Sequence, residues 1–233
     1  MRRFYKAVGI APAAASDVEG FHVLLDGRVL KTPAKAALLL PNAALAEAVA
    51  AEWAAQAEQI KPDSMPLMRF CATAIDRVAQ DRSYTVQELV RYGGSDLLCY
   101  RAEDPAALIA REQQVWQPLL DWFSQRYDIG LNVTTGIIAV KQPEDLPARL
   151  TRILEALDDF RLVALHSATT GTGSLVIGLA LLAGRVDADA AFAAGQLDEL
   201  FQAEAWGEDY EAQDRRSGLL EELRQVQHFL KLL

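Results

Sequence analysis

Few side chains in this 233-residue chain stand at spacings that chemistry requires. The three histidines, His22, His166 and His228, lie far apart, and neither HExxH nor GxSxG accompanies them. They read as structural or surface histidines. Thr169-Thr170-Gly171-Thr172-Gly173-Ser174 has the glycine content of a phosphate loop but lacks GxxxxGK[ST] and any lysine to meet a phosphate. Its expected role is a break between two helices at Gly171 and Gly173, with Ser174 capping the second. One catalytic alternative stays open: a small-molecule hydrolase or transferase using His166 with this neighbouring Ser/Thr/Gly loop. Cys71 and Cys99 form no CxxC and are expected to be buried small hydrophobes. Asp158-Asp159 reads as a helix cap. No cofactor-binding, metal-binding or catalytic set emerges.

Charge is more informative. From Asp198 to Asp214 there are seven acids (Asp198, Glu199, Glu204, Glu208, Asp209, Glu211, Asp214) and no Lys or Arg. So dense a block of like charge repels itself, which invites a search for something outside it. Trp206-Gly207 interrupts the block as a helix–helix junction. Two outcomes are open: a solvated face with Trp206 tucked into the core, or a docking surface on which carboxylates steer a partner and Trp206 is the anchor. Residues 1 to 35 have the opposite bias, six bases (Arg2, Arg3, Lys6, Arg28, Lys31, Lys35) against three acids.

The elements that must position these residues follow from periodicity. Phe4–Ile10 is expected as a short strand. Phe21–Leu25, Asp26-Gly27 and Arg28–Thr32 spell a hairpin, since Asp-Gly accepts the positive φ angles of a type I′ turn. Ala36–Leu40 adds a further strand. Asn42 can cap a helix whose Leu45, Val49 and Trp53 stripe covers that sheet. The prolines of Lys61–Pro66 mark a boundary, so the chain divides into a β-rich domain, 1–62, and a helical domain, 63–233. Beyond Pro66, Leu67, Phe70, Cys71, Ala74, Ile75 and Val78 share one helical face. Thr85 with Glu88 spells a capping box for the next helix, which Gly93-Gly94 ends. A long helix starts at Asp104-Pro105, with a kink or break at Pro118. Leu131–Val140 suggests a small hairpin, and helices follow near 144–157, 159–169, 174–184, 189–205 and 209–231. The fold class is α+β: a small antiparallel sheet with a covering helix, then a larger all-α part.

Composition bounds the function. With 51% apolar and 24% charged residues the chain can bury a real core, so disorder is excluded. A net charge of −9 disfavours nucleic acid as main partner. The longest greasy run, Leu175–Ala183, falls far short of the ~20 residues of a bilayer span, so no stable membrane insertion is expected. Arg2-Arg3 leads into patterned sequence rather than an apolar targeting segment, which points to a bacterial cytoplasm. No heptad seam is visible, and a monomer is expected.

Several strings, taken in order, resemble a known family. They are Arg3-Phe4-Tyr5-Lys6, Leu25–Ala34, Ala51-Glu52-Trp53, Met65-Pro66-Leu67, Thr73–Asp76, Asp96–Ala102, Pro118–Trp122 and Glu204–Asp209. Together they are similar to the assembly chaperones of the F-type ATP synthase catalytic head that bind the alpha subunit. The resemblance implies a non-enzymatic task without cofactor: covering the apolar interface of the unassembled alpha subunit until a beta subunit joins. It also implies that Trp206, Glu208 and Asp209, with Glu204 beside them, are the partner-binding residues, Glu208 foremost.

Overall fold

The computed structural model describes residues 1–13, 19–207 and 209–233. The chain divides into two compact units. The first is Met1–Arg82 completed by Asp159–Val163 and His228–Leu233; the second is Ser83–Asp158 with Ala164–Gln227.

The first unit is built on a four-stranded antiparallel sheet. Strands β1 (Val8–Pro12) and β2 (Phe21–Leu25) pair from Val8 opposite Leu25 to Pro12 opposite Phe21. The expected Asp-Gly turn is present: Asp26 and Gly27 have φ of 48° and 77°, returning the chain into β3 (Arg28–Val29). A glycine at the second turn position removes the Cβ that would strain this conformation. β4 (Leu39–Leu40) pairs with the start of β2. Both strands flanking β2 on this side are shorter than expected. Leu30 and Thr32 instead exchange backbone hydrogen bonds with Leu38 and Ala36, forming a small ear beyond β3.

The strand expected at Phe4–Ile10 starts only at Val8. The backbone N–H groups of Lys6 and Ala7 donate to the Asp26 carboxylate at 3.0 and 2.8 Å, which holds residues 4–7 outside the ladder. Helix α1 (Ala43–Ala54) has the expected cap, Asn42 accepting from the Leu45 N–H at 2.8 Å. Its stripe Leu45, Val49 and Trp53 is buried. Helix α2 (Pro66–Thr73) runs into a π-helical turn, Ala74–Val78, and the expected face is buried except for the half-buried Ile75. Phe70 of α2 packs against Phe229 with ring centroids 5.1 Å apart.

The second unit is helical apart from one two-stranded ribbon. Its helices are α3 (Arg82–Gly94, whose first residue belongs to the first unit), α4 (Ala106–Tyr127), α5 (Leu146–Glu155), α6 (Asp159–Thr172), α7 (Leu175–Leu182), α8 (Ala188–Gly195), α9 (Leu197–Trp206) and α10 (Tyr210–Lys231). Helices α6 and α10 also lend their terminal residues to the first unit. Trp116 and Phe123 of α4, Leu146, Leu150 and Leu154 of α5, and all of Leu175–Leu181 in α7 form its core.

Four local expectations give way here. Helix α4 runs unbroken through Pro118. Pro118 and the preceding-turn Gln114 are both exposed, so the carbonyl that loses its intrahelical donor can be hydrated. The expected hairpin at 131–140 is instead a single strand, β6 (Thr134–Thr135), pairing in parallel with β5 (Tyr100–Arg101). Thr85 is no cap: α3 starts three residues earlier, and Thr85 is buried within it. The helix expected over 189–205 divides at Gly195-Gln196 into α8 and α9.

Candidate functional site

The polar groups that sequence singled out as possible chemistry are tied into structure. His22 Nδ1 lies 2.8 Å from the Leu38 carbonyl oxygen, and His228 is exposed on α10. His166 Nε2 lies 3.1 Å from Glu88 Oε2, while the adjacent Ser167 hydroxyl donates to Glu222 at 2.7 Å. His166 and Ser167 thus bond to different carboxylates on different helices. The segment beside them is no open loop. Helix α6 continues through Gly171 to Thr172, Gly173 turns the chain at φ 73°, and Ser174 caps α7 by accepting from the Ile177 N–H.

Ser174 also donates to Asp96 at 2.7 Å. Asp96 is fully buried and further accepts from the N–H groups of Val176 and Leu98 at 3.0 and 3.1 Å, so one carboxyl organises the starts of α7 and of the 3₁₀ turn Leu97–Cys99. Burial pushes its carboxyl up to about 6 despite those donors. Both cysteines are free and buried, and burial raises both thiols. Among the described residues no cluster of His, Cys, Asp and Glu could hold a metal ion.

Several strings that carry the family resemblance hold the fold. Glu52 of α1 accepts from the Leu67 and Met68 N–H groups, both at 2.8 Å, and so caps α2, which has no side-chain cap of its own. Asp76 accepts from the Thr32 hydroxyl at 2.6 Å and the Ala34 N–H at 3.0 Å. The Tyr5 hydroxyl donates to the Trp53 carbonyl at 2.7 Å. The Trp116 indole donates to the Ala194 carbonyl at 2.8 Å, and the Arg101 guanidinium lies over the Trp116 ring.

The acidic junction is different. Trp206 ends α9 and is 82% exposed, so it does not tuck into the core. Gly207 follows at φ 91°, a backbone angle that a side chain would strain, and the chain re-enters helix at Tyr210, itself 81% exposed. Asp209 accepts from the Ala212 N–H at 3.3 Å, at the start of α10. Glu208 lies outside the described residues. Glu204 binds Arg111 of α4 in a two-pronged pair at 2.8 and 2.9 Å, which lowers its carboxyl, and Arg111 also lies over the Phe201 ring. Glu199 pairs with Arg215 of α10 at 2.9 Å.

The block is thus partly neutralised by cations that lie beyond it in sequence. At the start of α9, the Asp198 carboxyl acts electrostatically on the buried Glu112 of α4. Burial raises both carboxyls.

Sequence reasoning singled out Trp206 but passed over Tyr210, although an aromatic inside an acidic block was the available signal. It also passed over Ile137 and Ile138, 98% and 79% exposed on the segment following β6. Both fall inside the 131–140 segment that the sequence suggests as a small hairpin. Among the described residues no helix is long and apolar enough to cross a membrane.

The whole fold is shared with solved proteins. It matches Atp12 from Paracoccus denitrificans at 42% identity and a TM-score of 0.94, over 99% of this chain and 97% of that one. A protein of Agrobacterium tumefaciens solved as a candidate chaperone matches at 39% identity and a TM-score of 0.90, over 99% and 85%. The mitochondrial protein atp12 of Schizosaccharomyces pombe is 26% identical over 221 residues, 88% of this chain and 74% of that one. The class these relatives define is a chaperone. A sequence profile described as ATP12 chaperone protein matches residues 2–124, and the chain belongs to that family, whose members serve ATP synthase assembly. The junction at 204–210 lies beyond the profile match but within the length shared with the solved structures.

Proposed function

We propose that the chain holds the unassembled alpha subunit of the F-type ATP synthase catalytic head, masking its apolar subunit interface until a beta subunit arrives. Family membership supports the assembly role. The observation that carries the docking assignment is the exposure of Trp206 at a junction crowded with carboxylates. Keeping an indole in water forgoes roughly 25 cal/mol per Å² of buried apolar surface, and a partner that covers it recovers that energy.

Trp206 and Tyr210 supply the apolar contact, while Glu208, Asp209 and the rim residue Glu204 select a client surface rich in Lys or Arg. Capture and release then need only surface exchange: the beta subunit competes for the same apolar face, and no bond is made or broken. The chaperone acts as a monomer in the bacterial cytoplasm, where the client is made.

The direct experiment mixes purified chain with purified alpha subunit and measures complex formation by size exclusion and calorimetry. A stable complex that added beta subunit dissociates is expected. No complex at micromolar concentration overturns the assignment.

A further inference from the structure

We propose that the first unit carries a second docking groove, separate from the 204–210 junction, which takes an apolar stretch of a partner polypeptide that bears Asp or Glu beside its large side chains. The groove encloses about 600 Å³. It is lined by the buried Tyr5 and Trp53 and by the exposed Phe4, Val29, Arg28 and Lys31.

Three features indicate what fills it. The first is exposed apolar surface gathered in one place: Phe4 is 64% and Val29 39% exposed, although a well-packed sheet lies beneath them. The second is rigidity. Phe4 meets Tyr5 edge-on with centroids 5.4 Å apart, Tyr5 meets Trp53 at 5.6 Å, and the Tyr5 hydroxyl is tied to the Trp53 carbonyl. An aromatic ladder held this way loses little freedom when a side chain docks on it.

The third is charge. Asp26, the carboxylate at the groove, is held by the backbone N–H groups of Lys6 and Ala7, and these donors lower its carboxyl below the usual range. Arg28 and Lys31 form no ion pair among the described residues. The groove therefore presents two cations, Arg28 and Lys31, against one ionised carboxylate, Asp26, whose charge also acts on Arg28, beside apolar surface on a chain whose net charge is −9. An acidic apolar segment is repelled by most of this molecule and attracted here; a basic one meets the reverse.

The test uses the full chain and a fluorescein-labelled peptide alternating Leu and Glu, read by anisotropy, with a counterpart carrying Lys in place of Glu. Saturable binding of the Glu peptide is expected, weakened about tenfold or more in the double variant Arg28→Glu, Lys31→Glu, whose exposed positions leave the melting curve unchanged. Phe4→Ala should weaken it as well, while Trp206→Ala should leave it intact. The inference is overturned if the Glu peptide does not bind, if the Lys peptide binds as tightly, or if the double variant folds and binds as before. It is equally overturned if the chain ignores the peptide but binds vesicles of phosphatidylglycerol and phosphatidylcholine, because the surface would then be a lipid site.

Discussion

Trp206 is where a single substitution should separate binding from folding. With most of its surface already in water, Trp206→Ala removes little packing, and the expected cost in unfolding free energy is within about 0.5 kcal/mol. Capture of alpha subunit should fall by about tenfold or more, measured by calorimetry beside a thermal melt. A large loss of stability with unchanged capture would make the indole structural.

Asp96 is the opposite case. Its folded-state carboxyl, at about 6, lies above the ordinary aspartate value of 3.8, so the native state holds the proton more tightly than the unfolded chain. Its contribution to stability is therefore full below the ordinary value, declines as pH rises towards 6, and is lost above that. Urea unfolding from pH 4 to 7 should show this decline in the parent chain and its absence in Asp96→Asn. That variant should also be less stable throughout, since an amide cannot accept from Ser174, Val176 and Leu98 as a carboxyl does.

Elements in this fold are fastened to one another by carboxylates that cap helices from a distance. Helix α2 starts at Pro66 and is capped by Glu52, which stands fifteen positions before the Leu67 N–H it accepts. Glu52→Ala leaves two buried N–H groups without an acceptor and should cost roughly 2 kcal/mol in chemical denaturation, with Glu52→Gln recovering part of it. In α4 the reverse is expected. Pro118 sits where the helix continues regardless, so Pro118→Ala restores a backbone donor and a good helix former on an exposed face. A gain of about 1 kcal/mol or more is expected. A loss would show that the proline ring itself packs against something essential.

At the scale of the whole molecule, the separation of charge matters more than its total. Acids gather at 198–214 and bases in the first 35 residues, within a chain of net charge −9. If the junction captures a client surface rich in Lys and Arg, attraction between the two should speed encounter at low ionic strength and fade as the screening length shrinks to about 10 Å at 0.1 M salt. Stopped-flow association with alpha subunit should slow severalfold over that range while dissociation changes little. Association that quickens with salt would mean that the acidic face is repelled by its client.

What the sequence by itself determined is what neighbours along the chain decide. The Asp26-Gly27 turn, the Asn42 and Ser174 caps, the Leu45–Val49–Trp53 stripe and the helix junction at Trp206-Gly207 each depend on residues a few positions apart, and each stands where periodicity and capping chemistry put it. Only the tertiary structure decided which surfaces meet. The continuation of α4 through Pro118 rests on an exposed face, and the parallel pairing of β5 with β6 joins segments more than thirty positions apart. The partial neutralisation of the acidic block by Arg111 and Arg215, and the exposure of Trp206, likewise belong to packing. Glu204 and Arg111 stand 93 positions apart, and no local preference of either residue encodes that they touch. A side chain's conformation is set by its own backbone and nearest turn, whereas its burial and its partner are set by whichever element the rest of the chain folds against it.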